Sequence, residues 1–291
     1  MRFVRRHAAT IILVAAFLIG IALIAYPSFS NWWNQFHQTR AIATYNDAVD
    51  SIDKVDYEAM LADAHAYNEG LVEFGGYGFE LTKEQEDEYD SMLDITGDGI
   101  MAYIEIPKIR CELPIYHGTE ENVLQVAVGH LPGSSLPVGG ESTHCVISSH
   151  RGLPRAKLFT DLDQLQEGDI FVLRTLNETM TYEVDQIRIV LPNDLSALKI
   201  EEGQDLCTLV TCTPYGINTH RLLVRGHRIE NTPDVLVNPD AIQIRPAVVA
   251  PVLALPLLLV LLVWLLVSTR KSRRTAAKEE VKNRLMGKTD K

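Results

Sequence analysis

The chain has 291 residues and carries a formal net charge of −11 at pH 7. This charge argues against nucleic acid as a partner, because a protein that binds phosphate backbones needs a basic face. An acidic surface is compatible with a partner that presents lysines, and it weakly favours one.

Two uncharged apolar runs, residues 8–26 and 246–269, lie near the two ends of the chain. Each is long enough to cross a bilayer, since a helix needs about 20 residues to span a hydrocarbon core of about 30 Å. A cleaved signal peptide is the alternative for the first run, but the run is long for one. Trp32 and Trp33 follow it, where interfacial aromatic residues are common. We therefore expect two transmembrane helices, the first of them uncleaved.

Basic residues flank both apolar runs on their outer sides. They are Arg2, Arg5 and Arg6 before the first run, and Arg270, Lys271, Arg273 and Arg274 after the second. Basic flanks mark the cytoplasmic side of a membrane. The sequence thus predicts a two-pass protein of the cell membrane, with residues 1–7 and 270–291 in the cytoplasm and the strongly acidic part between the runs outside the cell.

The outer part is expected to begin with helices. Apolar residues at helical spacing form two stripes, which consist of Ile42, Tyr45, Val49 and Ile52 and of Tyr57, Met60, Leu61 and Ala64. The stripes predict a helical hairpin packed on a core, with a juxtamembrane stalk as the alternative. Leu71–Ile100 is expected to be irregular, because the closely spaced glycines in Phe74–Phe79 oppose regular structure.

After Ile100 the apolar period changes to two, which is typical of strands. The predicted strands are Ala102–Ile106, Glu112–Tyr116, His144–Ser149, Asp169–Leu173, Met180–Val190, Leu206–Cys212 and Arg221–Arg225. Short strands separated by turn residues indicate an all-β sandwich or barrel. Only two helical turns are expected to intervene, near Glu121–Val128 and Ala156–Leu165.

One segment, Asp94–Glu105, nearly matches the residue pattern of a calcium-binding loop. A helix should follow such a loop, but Ala102–Ile106 alternates like a strand, so we interpret the segment as a glycine-rich turn. The sequence contains no phosphate-binding loop and no histidines at zinc-ligand spacing. No cofactor and no metal site are therefore expected.

Three residues at strand ends are candidates for catalysis. Cys212 ends a strand beside a Thr-Pro turn, and a thiol becomes a nucleophile when a nearby base or positive charge favours the thiolate. His150 also ends a strand, so parallel neighbouring strands would bring it to the same rim, although a lone histidine is more often structural. Arg221 begins the strand after Cys212, and an antiparallel hairpin would return it to Cys212 while leaving Arg225 farther away. A cationic donor there can stabilise the oxyanion formed by attack on an amide.

These residues lie in segments that resemble the sortases, the cysteine transpeptidases of Gram-positive cell surfaces. Thr208–Cys212, followed by Arg221, resembles their active-site signature, and Ser149–Pro154 resembles their histidine segment. Upstream, Tyr103–Pro107, Leu113–Gly118 and Gly129–Pro137 are similar to segments of class C, the pilin-polymerising sortases. The resemblance covers Gly99 to Arg228.

The resemblance implies an all-β core, an eight-stranded β-barrel in residues 99–232, after a helical and lid-like segment in residues 27–98 and before a linker in residues 233–245. It assigns Cys212 as the nucleophile that forms an acyl-thioester, His150 as general acid and base, and Arg221 as the group that stabilises substrate or oxyanion. It also implies cleavage of an LPXTG-like sorting signal and transfer to a pilin lysine. The alternatives are a sortase that anchors single surface proteins to a peptidoglycan precursor amine, a membrane-tethered cysteine protease and a non-catalytic scaffold.

The chain departs from class C at the lid that usually precedes the barrel. That lid carries an Asp-Pro-aromatic motif, whereas Leu71–Ile100 contains no proline. We expect Phe74–Phe79 to lie over or beside the Cys212 groove in its place, because these residues occupy the same part of the chain.

Two further cysteines are expected to be neighbours. Cys145 precedes His150 by the same odd number of residues as Cys207 precedes Cys212. Because side chains alternate along a strand, both should point away from the catalytic rim, into the barrel. Both positions usually hold other small residues in the family, so their joint presence indicates a pair, either of free buried thiols or of a disulfide.

Overall fold

The structure, a computed structural model, describes residues 2–73 and 81–231 together with the single positions 260 and 264. Four α-helices are described: α1 (Arg2–Ser51), α2 (Lys54–Glu73), α3 (Lys83–Ser91) and α4 (Glu121–Leu124). The strands are β1 (Ile100–Ile106), β2 (Cys111–His117), β3 (Val128–His130), β4 (Thr143–Ser148), β5 (Ile170–Thr175), β6 (Glu178–Val190), β7 (Asp205–Thr213) and β8 (His220–Ile229). Short 3₁₀ helices lie at Pro107–Ile109, Leu158–Gln164 and Ser196–Leu198.

The eight strands close into a barrel in the order β1-β2-β3-β4-β7-β8-β6-β5. The pairs β2/β3 and β4/β7 are parallel, and the other pairs are antiparallel. The mixed barrel confirms the expected fold class and decides between sandwich and barrel. β3 was not among the strands predicted from the apolar pattern, because three residues are too few to display a period of two, and the helical turn expected to reach Val128 ends at Leu124.

The barrel interior is filled by the alternate, inward-facing residues of the strands. Among its fully buried members are Ile104, Ile106, Ile115, Ile147, Phe171, Leu173, Leu209 and Val224. Gly226 is needed where β8 passes the ring of Phe171, since a Cβ atom there would lie 2.7 Å from Phe171 Cε1. A larger residue at position 226 would therefore displace the ring from the core.

The helices α1 and α2 pack against this same core. Tyr45 and Val49 of α1 and Ala64 of α2 are buried in the barrel cluster. Tyr57 and Met60 of α2 are partly buried and pack against the same cluster. This confirms the predicted helical hairpin and rules out a detached stalk for this part of the chain. The stripe predicted from helical spacing is the face that meets the barrel.

The N-terminal part of α1 has the length and composition of a membrane anchor. Among the described residues, one helical stretch, Ile12–Ser51, is long and apolar enough to cross a membrane. The barrel belongs to a separate compact unit that begins at Ser30. The second expected span, residues 246–269, lies outside the described residues apart from Val260 and Trp264.

Tyr45 joins α1 to the barrel by two buried hydrogen bonds. Its hydroxyl donates to the Met101 carbonyl at 3.0 Å and accepts from the Leu176 amide at 2.8 Å. Tyr45→Phe removes the hydroxyl and leaves two buried backbone groups unpaired, so we expect the free energy of unfolding to fall by about 1–3 kcal/mol. Urea denaturation measures this loss. Tyr57→Phe is the control, because Tyr57 bonds the side chain of Glu178 near the surface and should change stability by about 0.5 kcal/mol or less.

The expectation that Leu71–Ile100 is irregular was wrong over much of its length. Helix α2 continues to Glu73, and α3 begins after Thr82, whose hydroxyl accepts from the Gln85 amide while the Gln85 side chain accepts from the Thr82 amide. Tyr89 anchors α3, since its ring is buried and its hydroxyl lies 2.8 Å from His130 Nδ1. The segment Phe74–Phe79 lies outside the described residues, so its expected place over the groove stays a prediction.

The calcium-like segment forms the predicted turn into a strand. Asp94 Oδ1 accepts hydrogen bonds from the amides of Gly97 and Gly99, at 2.9 and 3.1 Å, and β1 follows directly. Glu105, which would be the last ligand of such a loop, lies in β1 and pairs with Arg174 at 2.6 Å. Asp94 thus accepts hydrogen bonds within the turn, and Glu105 forms an ion pair in the sheet.

Cys145 and Cys207 are direct partners in the parallel β4/β7 register, as predicted. Both side chains are buried in the barrel core, on the face opposite the strand-end site. The structure contains them as free thiols, as it does Cys111 and Cys212. The two buried thiols are in hydrogen-bond contact with each other, and Cys145 also hydrogen-bonds His130.

Candidate active site

Strands β7 and β8 place Cys212 and Arg221 side by side. The two residues are Cα partners in the antiparallel register, one position from the β7–β8 turn. Cys212 is partly exposed. The hairpin register expected from the sequence is thus confirmed, and Cys212 and Arg221 lie at the same rim of the barrel.

His150 reaches the same rim from the neighbouring strand. The last residue of β4, Ser148, pairs in parallel with Val210 of β7. The register continues beyond the strand, since the Ser149 amide donates to the Val210 carbonyl at 3.1 Å and the Thr211 hydroxyl donates to the Ser149 carbonyl at 2.8 Å. His150 therefore follows β4 at the level of Cys212, as the sequence predicted.

Glu121 is a member of this rim that the sequence analysis missed. His150 Nε2 lies 3.2 Å from Glu121 Oε2, on the short helix α4. Hydrogen bonds from Gln125 and then from His150 lower the pKa of the Glu121 carboxyl, so the group is ionised near neutral pH. No sequence motif links the two residues, because the contact depends on how α4 packs beside the end of β4.

Arg221 and Arg225, both on β8, have different partners. Arg225 pairs with both carboxylate oxygens of Asp185, at 3.0 and 2.8 Å, and with Glu201 at 2.7 Å. Arg221 instead donates to the backbone carbonyls of Asn218 and His220, and among the described residues no carboxylate forms an ion pair with it. Arg225 is thus committed to a structural network, whereas the charge of Arg221 is available at the rim.

The loops that follow His150 and Cys212 pack on each other. The guanidinium of Arg151 lies 5.8 Å from the ring centroid of Tyr215, in the β7–β8 turn, and forms an ion pair with Asp163. Gly152 has a φ of +76°, and a Cβ atom there would lie 2.9 Å from the Tyr215 ring. Only glycine therefore combines this backbone conformation with so close an approach. These contacts join the loop that follows His150 to the turn that follows Cys212.

Beside the rim, the outer face of β4, β7 and β8 is covered by the segment between β6 and β7. A second apolar cluster of Val146, Leu198 and Leu223 lies there, with Val210 packed against it. The buried ring of His144 joins the two layers, because it lies 2.7 Å from the Lys199 carbonyl and 2.8 Å from the Thr208 hydroxyl. Burial lowers the pKa of His144, so this histidine is a neutral structural residue.

The four cysteines differ in access. Cys212 is partly exposed, while Cys111, Cys145 and Cys207 are buried. Burial raises the pKa of Cys111 to about 12, so its thiol stays protonated at neutral pH. A thiol-directed reagent should therefore reach Cys212 first.

The partners of the two arginines predict opposite effects of their removal. Arg221→Ala should lower the rate of amide cleavage on the order of 10²–10³-fold, the cost of one lost oxyanion donor, and should leave the fold intact. Arg225→Ala should lower the free energy of unfolding by about 1–3 kcal/mol, because two carboxylates lose their partner, with a smaller effect on the rate. Parallel measurements of kcat and urea denaturation check both. A larger rate loss in Arg225→Ala would contradict the assignment of Arg221 to the site.

Comparisons with known proteins agree with this architecture. The family model described as the sortase domain matches residues 104–229. Sortase D of Bacillus subtilis (strain 168) is 33% identical over 129 residues, which are 43% of this chain. The match spans 62% of the length of that Bacillus protein, slightly under two thirds.

Two solved structures match more of the chain. The crystal structure of sortase C1 from Streptococcus agalactiae is 53% identical, with a TM-score of 0.65, and the match covers 66% of this chain and 100% of that chain. The crystal structure of Streptococcus pneumoniae sortase C is 45% identical, with a TM-score of 0.60, and the match covers 66% of this chain and 97% of that chain. The chain belongs to the sortase family. These two structural neighbours are class C sortases.

Proposed function

We propose that this chain is a cysteine transpeptidase that cleaves an LPXTG-like sorting signal and joins the acyl group to a lysine of a pilin subunit. The observation that carries the proposal is the strand register, which aligns Cys212 with Arg221 and brings His150 to the same rim. The likeness to class C structures supports the pilin as acceptor, since the crystal structure of the pneumococcal sortase C provides insight into pilin substrate specificity.

The first half of the reaction forms an acyl-enzyme. With His150 carrying the proton of the thiol, the Cys212 thiolate attacks the threonine carbonyl carbon of the sorting signal, and the oxyanion that forms accepts hydrogen bonds from the guanidinium of Arg221. The tetrahedral intermediate then breaks the bond to the following glycine. His150 gives its proton to the leaving amine, and a thioester between threonine and Cys212 remains.

The second half transfers the acyl group. The neutral ε-amine of a lysine attacks the thioester carbonyl, and His150 takes up a proton from the attacking nitrogen. A carbon–nitrogen bond forms, the carbon–sulfur bond breaks, and Cys212 leaves as a thiolate that pairs again with the protonated His150. Water in place of lysine would give hydrolysis, so the outcome depends on which nucleophile reaches the thioester.

Membrane anchoring places this reaction at the cell surface. The apolar helix at the N-terminus supports an anchor, and the basic residues outside both apolar runs support a two-pass arrangement with the barrel outside the cell. The strong negative charge of the outer part favours acceptors that present lysines.

The experiment that tests the proposal separates transfer from hydrolysis. The full-length protein in detergent is incubated with an LPXTG-containing peptide, with and without a lysine-containing acceptor peptide, and the products are separated by chromatography. We expect a peptide joined to the acceptor lysine, in an amount that rises with acceptor concentration. Cleavage that ignores the acceptor would favour a cysteine protease, and transfer to a peptidoglycan precursor amine alone would favour anchoring of single surface proteins.

A further inference from the structure

His150 is held through one ring nitrogen by a carboxylate that is itself held by other side chains. Glu121 Oε2 lies 3.2 Å from His150 Nε2, and Glu121 Oε1 accepts from Gln125 Nε2 at 2.7 Å. The Gln125 oxygen in turn accepts from Arg155 Nη2 at 2.7 Å. These contacts form a continuous chain of hydrogen bonds from the loop after His150, through α4, back to the His150 ring.

The contact decides which ring nitrogen is available for proton transfer. An ionised carboxylate can only accept a hydrogen bond, so the nitrogen that faces Glu121 carries the proton. Nε2 is therefore the donor to Glu121, and Nδ1 is left to exchange a proton with substrate or with Cys212. A histidine whose second nitrogen is fixed in this way has a defined tautomer and ring orientation.

The two segments that carry Glu121 and His150 are joined by the membrane-proximal part of α1. Gln38 Nε2 donates to the carbonyl of Val126, just after α4, at 2.6 Å. Asn34 Nδ2 donates to the carbonyl of Arg155, in the loop after His150, at 2.7 Å. One face of α1 thus holds the backbones of both segments. These hydrogen bonds, together with the contact between Glu121 and His150, set the distance between the two side chains.

The energetic role of Glu121 is different from that of a structural ion pair. Its side chain is 68% exposed, compared with 26% for His150. Exposed ion pairs contribute little to stability. Its charge can still act on His150, because the imidazole becomes positively charged during the reaction and the carboxylate is already in place when that happens.

We propose that Glu121 is a positioning residue for catalysis, which fixes His150 by its Nε2 and stabilises the imidazolium that pairs with the Cys212 thiolate. This role rests on the proposed transpeptidase function. Glu121 acts through His150 and does not touch the substrate, so its loss should lower kcat and leave KM nearly unchanged.

The test compares three single variants of the full-length protein in the peptide cleavage assay. Glu121→Ala should lower kcat about tenfold, a part of the usual contribution of a general acid and base, with KM changed by about twofold or less. Glu121→Gln should recover part of the loss, since the amide oxygen can still accept from Nε2 without the charge. Glu120→Ala is the matched control, and both of its kinetic constants should equal those of the wild type.

A second measurement, which does not depend on substrate turnover, tests whether Glu121 acts through His150. The rate of Cys212 alkylation by iodoacetamide reports its thiolate. Glu121→Ala should slow this alkylation in the wild-type background and have no further effect in the His150→Ala background. Wild-type kcat in Glu121→Ala, or equal slowing in both backgrounds, would overturn the role. Absence of cleavage by the wild type would instead refute the proposed function, and the alkylation comparison would still decide the role of Glu121.

Discussion

Replacing Cys212 by alanine is expected to abolish both cleavage and transfer, with a rate loss on the order of 10⁶-fold for the missing nucleophile. The barrel should remain folded, because Cys212 lies partly exposed at the end of β7 and not in the core. Chromatographic assay of the peptide products measures the loss, and circular dichroism with thermal unfolding measures the fold.

Cys111→Ala is the matched control for this variant. Cys111 is buried in the barrel cluster, and the raised pKa of its thiol keeps it protonated. The control should lose some stability, as a truncated core residue does, and retain activity per folded molecule. Activity in Cys212→Ala equal to that of the wild type would exclude every mechanism that passes through a thioester at this residue.

His150→Ala is expected to be nearly as severe, with kcat lower by on the order of 10²–10⁴-fold, because both the proton for the leaving amine and the acceptor for the attacking amine are lost. The alkylation of Cys212 should slow as well, since the imidazolium no longer favours the thiolate. Steady-state kinetics and the rate of iodoacetamide labelling check the two effects.

His65→Ala is the control, because it removes a histidine that lies away from the candidate active site. His65 is exposed on α2 and should leave kcat and the labelling rate unchanged. Rapid turnover by His150→Ala would show that another group moves the proton and would remove the reason for assigning His150 to the site.

The positions of the three site residues could be predicted because each marks the end of a strand. The period of two in β4, β7 and β8 and the turn residues beside them indicated the strand limits, and the resemblance supplied the role of His150 beside Cys212. The register then follows, and it places Cys212 opposite Arg221 as expected. The roles of the three residues stay predictions until the variants are measured.

The contact between Glu121 and His150 could not be predicted in this way. It joins a helix of one turn to a loop, and tertiary hydrogen bonds from α1 hold the residues after the helix at Val126 and the loop at Arg155. Neither apolar periodicity nor spacing along the chain encodes such contacts. The same limit applies to the site as a whole. Residues at strand ends can be predicted from the sequence, whereas contacts made by the short helices and loops between strands cannot.

Helix α3 shows a different kind of failure. Its capping residues, Thr82 and Gln85, were present in the sequence as a Thr-x-x-Gln pattern, which is a start signal for a helix. The helix has a single buried residue, Tyr89, and is otherwise acidic and polar. It therefore lacks the apolar stripe on which the helical prediction depended, and the glycines just before it favoured the irregular interpretation.

The most direct test of the transpeptidase mechanism is a mass spectrum of the product formed by the full-length protein from a sorting-signal protein and a lysine-bearing pilin. The mechanism predicts one joined product, with the segment after the threonine of the signal removed and an isopeptide bond between that threonine and a lysine side chain. The product should be absent with Cys212→Ala. A shortened sorting-signal protein that ends in a free threonine carboxylate, with no joined product at any pilin concentration, would contradict the account.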